Sequence, residues 1–328
     1  MSASITPDRW LCLHPTTSET DISKIGAFLD NRGLAYGDGF FTTMGVIDGQ
    51  VLWLDYHHRR LVSHAAALQL KLDSDSLIAS LKTHTKQLSQ GMLKLIVMRA
   101  VQDVRGYGYI PDIAGSACEV WLKFTVMNVA TAISLPLSDG QFIPLQPATS
   151  AICLSSQIAC LPPPLAGLKS LNRLDNVLAS GELHAIRAYI SPSNTELDSA
   201  AIGEGLLRDM SGHWVEGTMS NVFYQLSEPN LSKRSSLISN SILDIDKDGS
   251  NYLTQGQWYT PSMAQSGVAG VMRQVIIDEL SISKYPVIIR SLKDEDLPQL
   301  SQLFFCNALR GIMPMSSLRL LSGEVVGF

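Results

Sequence analysis

Arg32-Gly33-Leu34-Ala35-Tyr36-Gly37-Asp38-Gly39-Phe40-Phe41 packs three glycines and two opposite charges into ten residues, a density that core packing alone does not demand. Gly37-Asp38-Gly39 lacks the third glycine and the preceding strand of a dinucleotide-binding fingerprint, so no nucleotide-binding doubly wound sheet is expected from it. Three later segments have the same character: Lys169-Ser170-Leu171-Asn172-Arg173, Glu216-Gly217-Thr218-Met219-Ser220-Asn221, and Gly267-Val268-Ala269-Gly270-Val271-Met272-Arg273. Each alone is a weak signal, and their order and spacing carry the weight.

Between these segments the apolar pattern predicts alternating strands and helices. Val51–Leu54 reads as a short strand. Residues 56–72 place Leu61, His64, Ala65, Leu68 and Leu72 on one helical face, and Asp75–Ser89 reads as a second helix. Met92–Ala100 and Ala117–Val126 are short, β-branched and aromatic runs expected as buried strands. After a Pro/Ser/Thr/Ala-rich stretch at 129–164, with a strand at Ser150–Ser155, a helix is expected at 173–189. Strands follow at Glu204–Arg208 and Asn221–Leu226, a helix from about Val268 to Leu280, and strands at Pro286–Leu292 and Gln302–Cys306. The alternation lacks βαβ regularity, so the expected class is α+β, with an N-terminal domain over 1–128, a C-terminal domain over 133–328 and a polar insertion at 228–251.

Composition narrows the function classes. The 328 residues are 45% hydrophobic and 17% charged, and 25 Lys+Arg against 30 Asp+Glu give a formal net charge of −5, so a nucleic-acid partner is not expected. No run approaches 18 consecutive apolar residues, and the N-terminus lacks a basic region followed by an apolar stretch. Neither a membrane span nor a signal peptide is expected, and the chain is read as cytoplasmic. Five scattered cysteines form no C-x-x-C, and no metal site is expected. Asp244-Ile245-Asp246-Lys247-Asp248-Gly249 imitates the start of a calcium loop, but position 12 is Gln255 where a bidentate Glu is needed, so it reads as an acidic turn.

With R-G-L-A-Y-G-D-G-F-F, L-A-G-L-K-S-L-N-R-L-D and C-N-A-L-R-G-I-M-P together, the chain resembles the fold-type IV pyridoxal-phosphate enzymes over about Arg32 to Pro314. That family includes branched-chain and D-amino-acid aminotransferases and aminodeoxychorismate lyases. The resemblance implies a two-domain α+β fold, a pyridoxal 5'-phosphate cofactor, a small-molecule substrate and a homodimer. It assigns Lys169 as the lysine that bonds the cofactor, with Leu165–Leu168 and Leu171 as an apolar setting that would desolvate its ammonium. Glu216 matches the carboxylate facing the pyridine nitrogen. The amides of Val271 and Met272, Arg60, and the side chain of Asn307 match the phosphate contacts, the first two by lying at a helix N-terminus. Arg59 is the rival of Arg60, separated only by spacing to Leu61. Met272 departs from the hydroxyl residue common there, which leaves its side chain without that role.

Within the family the substrate side is most similar to the lyases. Arg105-Gly106-Tyr107 has Tyr where D-amino-acid aminotransferases have His, and Asn172-Arg173 departs from the branched-chain enzymes. The resemblance therefore implies conversion of 4-amino-4-deoxychorismate to 4-aminobenzoate and pyruvate in folate biosynthesis, with a metabolic link to aminodeoxychorismate synthase. Arg105, with Tyr107, would hold a substrate carboxylate. Thr42 or Thr43 would assist proton handling; strand phase decides which, and the sequence leaves it open. The competing reading is an aminotransferase on the same scaffold.

Overall fold

The structure, a computed structural model, describes residues 8, 10–14, 30–86, 88–110, 117–190, 202–227 and 252–328. The insertion at 228–251 and the calcium-like stretch up to Asn251 lie outside them. The chain divides into two compact units, Met1–Ala130 with Leu168–Arg173, and Thr131–Gly167 with Leu174–Phe328. Leu168–Arg173, numerically inside the second half, thus packs with the first unit.

The first unit holds β1 (Trp10–His14), α1 (Arg32–Tyr36), β2 (Gly39–Ile47), β3 (Gln50–Val51), α2 (Leu54–Ala67), α3 (Ser74–Thr85), β4 (Gln90–Arg99) and β5 (Cys118–Val126). Its five-stranded antiparallel sheet has the order β1-β5-β4-β2-β3. Alternate residues face opposite sides. Phe40, Met44 and Val46 from β2, Leu93, Leu95 and Val97 from β4, and Val120, Leu122 and Phe124 from β5 build one core with Leu61, Ala65, Leu77 and Leu81 of the two helices. Helix α2 ends at Ala67, short of the expected residue 72, because Gln69 turns left-handed at φ 55°. It also begins earlier than expected, at Leu54 behind a left-handed Trp53, which shortens the preceding strand to Gln50–Val51.

The second unit contains β6 (Ile133–Pro136), β7 (Phe142–Leu145), β8 (Thr149–Ile158), α4 (Leu174–Ile190), β9 (Ile202–Asp209), β10 (Trp214–Gly217), β11 (Asn221–Leu226), β12 (Tyr259–Thr260), α5 (Val271–Leu280) and β13 (Ile288–Ile289). A 3-10 turn (Asp294–Gln299), β14 (Leu300–Asn307), β15 (Gly311–Arg319) and β16 (Val325–Gly327) follow. The pairings close a ring, β8 to β9, β10, β11, β14, β15 and back to β8, in which only the β8 pairings are parallel. Neighbouring residues of β8 feed two separate apolar clusters: Ala151 and Cys153 join Trp214, Tyr224 and Phe305, whereas Ile152 and Leu154 join Ala179 and Leu183 of α4. The strand expected over Pro286–Leu292 is paired at Ile288–Ile289, with a single further bridge from Leu292 to Trp214. Helix α5 starts at Val271 rather than Val268, because Gly270 holds an extended backbone (φ −69°, ψ 143°). Among the described residues, no helix is long and apolar enough to cross a membrane.

Candidate active site

Helix α2 buries a stripe that is partly polar. His57, Arg60, Leu61, His64 and Ala65, spaced i, i+3, i+4, i+7, i+8, are its buried residues. Arg60 is 7% exposed, while Arg59 is exposed and stacks its guanidinium 4.0 Å from the Tyr56 ring. Helical phase, more than spacing to Leu61, separates the two arginines.

The buried stripe meets Thr42 of β2. Thr42 Oγ1 lies 2.8 Å from His57 Nδ1 and accepts a hydrogen bond from Arg60 Nη1 at 3.3 Å. Burial, reinforced by Arg60 and Lys169, holds the His57 pKa well below the ordinary imidazole range, so the ring is neutral. Its Nε2 is buried without a partner. A buried lone pair costs less than a buried orphan N–H, so the single proton belongs on Nδ1, donating to Thr42. Thr42 Oγ1 then accepts twice, and its own O–H is left to donate to an acceptor other than these two. Burial also pushes the Arg60 guanidinium down to about 10, which still leaves it cationic at neutral pH.

Lys169 is stitched to the first unit as an added strand segment. The Phe41 N–H donates to the Lys169 carbonyl (3.0 Å), Leu171 N–H donates to the Gly39 carbonyl (3.0 Å), and Phe40 bridges Ser170. The Lys169 N–H donates to His64 Nε2 at 3.0 Å. The Lys169 amine stands 4.6 Å from the centre of the Phe41 ring. That ring gives it an apolar neighbour; of the leucines expected around it, Leu165 is exposed and Leu168 is buried. Lys94 Nζ lies 5.4 Å from the same ring. Thr43 pairs with Lys94 across the β2–β4 ladder, so it shares the sheet face of Phe41, whereas Thr42 shares the opposite face with Arg60 and His57. Arg173 donates to the Leu168 carbonyl and to Ser170 Oγ, both at 3.2 Å, closing the turn around the lysine.

Arg32 and Arg99 each place Nε 2.9 Å from Asp38 Oδ2. Arg32 also donates to the carbonyls of Gly106, Tyr107 and Gly108, at 3.4, 3.3 and 3.0 Å. These bonds pin the loop that carries Arg105 and Tyr107. Both side chains are exposed, Tyr107 at 84%, and its ring meets Tyr36 edge-on at 5.2 Å.

In the second unit, Glu216 is 3% exposed at the end of β10. Its carboxylate accepts from the Val268 N–H at 2.8 Å and from Asn176 Nδ2 at 3.3 Å. Asn221 Nδ2 donates to the Val268 carbonyl at 2.8 Å, holding the loop before α5. An added Cβ at Gly270 would stand 1.8 Å from Asn221 Oδ1, so a larger residue there would push the Asn221 amide aside. No side chain caps the N-terminus of α5, and Val271 and Met272, whose amides open it, are buried. Asn307 donates to the Met219 carbonyl and accepts from the N–H groups of Leu309 and Arg310. Buried Glu204 gathers the Thr218 N–H, the Thr218 and Ser220 hydroxyls and its neighbour's N–H, fixing the turn after Glu216. His57, His64, Lys94, Asn176 and Glu204 escaped the sequence reading. For the two histidines a usable signal existed, since both lie on the Arg60 face of α2.

Residues 39–318 match the amino-transferase class IV family, and the chain belongs to it. It is 23% identical over 291 residues to an aminodeoxychorismate lyase of Vibrio harveyi, covering 88% of this chain and 86% of that one. It is 26% identical over 313 residues to a Methanocaldococcus jannaschii protein provisionally named a branched-chain-amino-acid aminotransferase, covering 93% and 87%. Among solved structures, a 4-amino-4-deoxychorismate lyase from Pseudomonas aeruginosa superposes with a TM-score of 0.67 at 26% identity, covering 98% of this chain and 94% of that one. The chain is therefore a fold-type IV enzyme, α+β in architecture, that depends on pyridoxal 5'-phosphate.

Each unit carries donors that suit a part of that cofactor. A lysine amine against an aromatic ring suits its aldehyde. A cationic, buried Arg60 with a Thr42 hydroxyl able to donate suits an anionic phosphate. A buried carboxylate already fixed by two donors suits a ring nitrogen that carries a proton.

Proposed function

We propose that the chain is an aminodeoxychorismate lyase, converting 4-amino-4-deoxychorismate to 4-aminobenzoate and pyruvate. The observation that carries this reading is the pair of amines on one ring: Lys169 and Lys94 stand 4.6 and 5.4 Å from the centre of Phe41. One amine serves the cofactor, and the second offers a cation beside it for a carboxylate of a substrate that carries two. The full-length likeness to the Pseudomonas aeruginosa lyase supports the same choice.

When bound, pyridoxal 5'-phosphate supplies an electron sink for charge that develops on the carbon bearing the substrate nitrogen. Lys169 would hold the cofactor, and its amine, when free, would serve as the general base for the proton on that carbon. Breaking the C–O bond on the neighbouring carbon would release enolpyruvate, which takes the proton back from Lys169 and tautomerises to pyruvate, while the ring becomes aromatic. Arg60, Thr42, the first amides of α5 and Asn307 hold the phosphate. Glu216 presents its carboxylate to the pyridine nitrogen. Arg105 and Lys94 receive the two substrate carboxylates, with Tyr107 beside Arg105, and Thr43, on the Phe41 face, assists proton handling. A homodimer is part of this reading, supported by the exposed Leu174, Val177 and Leu178 at the start of α4. Sedimentation as a monomer at micromolar concentration would contradict the dimer.

The test is product formation. Purified protein with cofactor, given aminodeoxychorismate made in place from chorismate and glutamine by the synthase, should release 4-aminobenzoate and pyruvate in equal amounts. Transamination of D-alanine or a branched-chain amino acid without 4-aminobenzoate would favour the aminotransferase reading.

A further inference from the structure

We propose that His64 is a positioning residue for Lys169, fixing the lysine's peptide through its imidazole Nε2. The inference rests on the reading of Lys169 as the cofactor-holding lysine. The Lys169 peptide is gripped on both sides: its N–H donates to His64 Nε2 at 3.0 Å, and its carbonyl accepts from the Phe41 N–H at 3.0 Å. The first contact bridges 105 residues and is made by a side chain, whereas the second is backbone pairing with β2.

His64 is itself held. Its ring meets Phe40 edge-on at 5.3 Å, and Nδ1 lies 3.2 Å from Ser63 Oγ. Because Nε2 accepts, the ring proton sits on Nδ1 and points at Ser63. This requires a neutral imidazole, since a protonated ring would present a second N–H to the Lys169 N–H. The surroundings enforce neutrality: burial first, then the positive charges of Arg60, Lys169 and Arg173, push the His64 pKa down to about 3. The grip is therefore intact at neutral pH.

A lysine that must be both attachment point and base has to swing its amine about a fixed backbone, and displacement of that backbone by an ångström is costly in rate. Loss of the acceptor should therefore act on the chemical step more than on substrate binding. In His64→Leu the ring volume is filled and the acceptor is gone; in His64→Gln a carbonyl acceptor is restored at similar reach. We expect His64→Leu to lower kcat about tenfold or more, with KM changed less than threefold, and to shift the pH titration of the visible cofactor band. His64→Gln should recover kcat to within about threefold and return the titration toward the parent.

Equal loss in both variants, or a His64→Leu enzyme with parental kcat and titration, would overturn the proposal. Borohydride reduction followed by peptide mapping, done on every variant, separates the two layers: cofactor mapped away from residue 169 refutes the reading of Lys169, whatever the His64 variants do. If His64→Leu does not fold, the holoenzyme answers without mutation. Selective nitrogen-15 labelling of lysine and histidine should show coupling across the hydrogen bond between Lys169 N and His64 Nε2. Its absence, or a protonated Nε2, would overturn the proposal as well.

Discussion

Thr42 Oγ1 lies 2.8 Å from His57 Nδ1, joining a strand residue to a helix residue inside a core where both are fully buried. The same oxygen accepts from Arg60, so one hydroxyl orders a cation and a neutral ring together. Thr42→Val keeps the shape and removes that oxygen. The variant should lose about 1–3 kcal/mol of stability by denaturant unfolding, because His57 Nδ1–H is left buried without an acceptor. It should also bind cofactor about tenfold more weakly by titration of the apoenzyme. Parental affinity would show that Thr42 has no part in holding the phosphate.

The two neutral histidines make acid stability a sharp test. His57 and His64 are held below their unfolded value of 6.5, His64 at about 3. Above pH 6.5 neither state is protonated and the shifts cost nothing. Between pH 6.5 and about 3 the unfolded chain takes up protons that the native state refuses, so stability falls as pH falls. The slope is about 1.4 kcal/mol per pH unit for each histidine. Denaturant unfolding at pH 7, 6, 5 and 4 should show this decline, and it should be shallower in a folded His64→Gln protein. A flat profile would contradict the buried neutral rings.

Asp38 neutralises two arginines at once, each at 2.9 Å from the same oxygen. Asp38→Asn removes the shared counter-charge from two side chains that are almost fully buried. Unfolding free energy should drop by about 3–5 kcal/mol. The loop at 102–110, pinned through Arg32, should become sensitive to proteolysis. Resistance equal to the parent would mean that the carbonyl bonds of Arg32 suffice.

Lys94 offers a discriminating test of substrate charge. Lys94→Met keeps the aliphatic length and removes the cation beside Phe41. KM for aminodeoxychorismate should rise about tenfold or more, with kcat changed much less, since a charge-assisted contact is worth about 1.5–3 kcal/mol. An unchanged KM would place the second carboxylate elsewhere.

The sequence was most legible where a pattern is local. Alternation in β4 and β5 and the periodic face of α2 appear where their apolar residues put them, and Asn221–Leu226 is paired over its whole length. Strand β15 was not legible, because Pro314 interrupts the run and its partners on β8 lie more than 160 residues away. Arg60 was readable by resemblance and the two histidines could be placed on its face of α2, but their role could not be read, since a histidine on an apolar face looks like core until its partners are known. Lys94 reads as one solvated charge on a strand; the ladder register brings it to the ring of Phe41, which Lys169 also meets. Glu204 was hidden for the same reason, its donors being 14 and 16 residues further along the chain.

On the proposed function, Lys169 carries the cofactor and moves the proton. The most direct measurement is the visible absorbance of Lys169→Ala beside the parent, each reconstituted with pyridoxal 5'-phosphate, with 4-aminobenzoate release followed in the same samples. The parent should show the band of lysine-bound cofactor and make product, and Lys169→Ala should lose both. An unchanged spectrum in Lys169→Ala would contradict the claim.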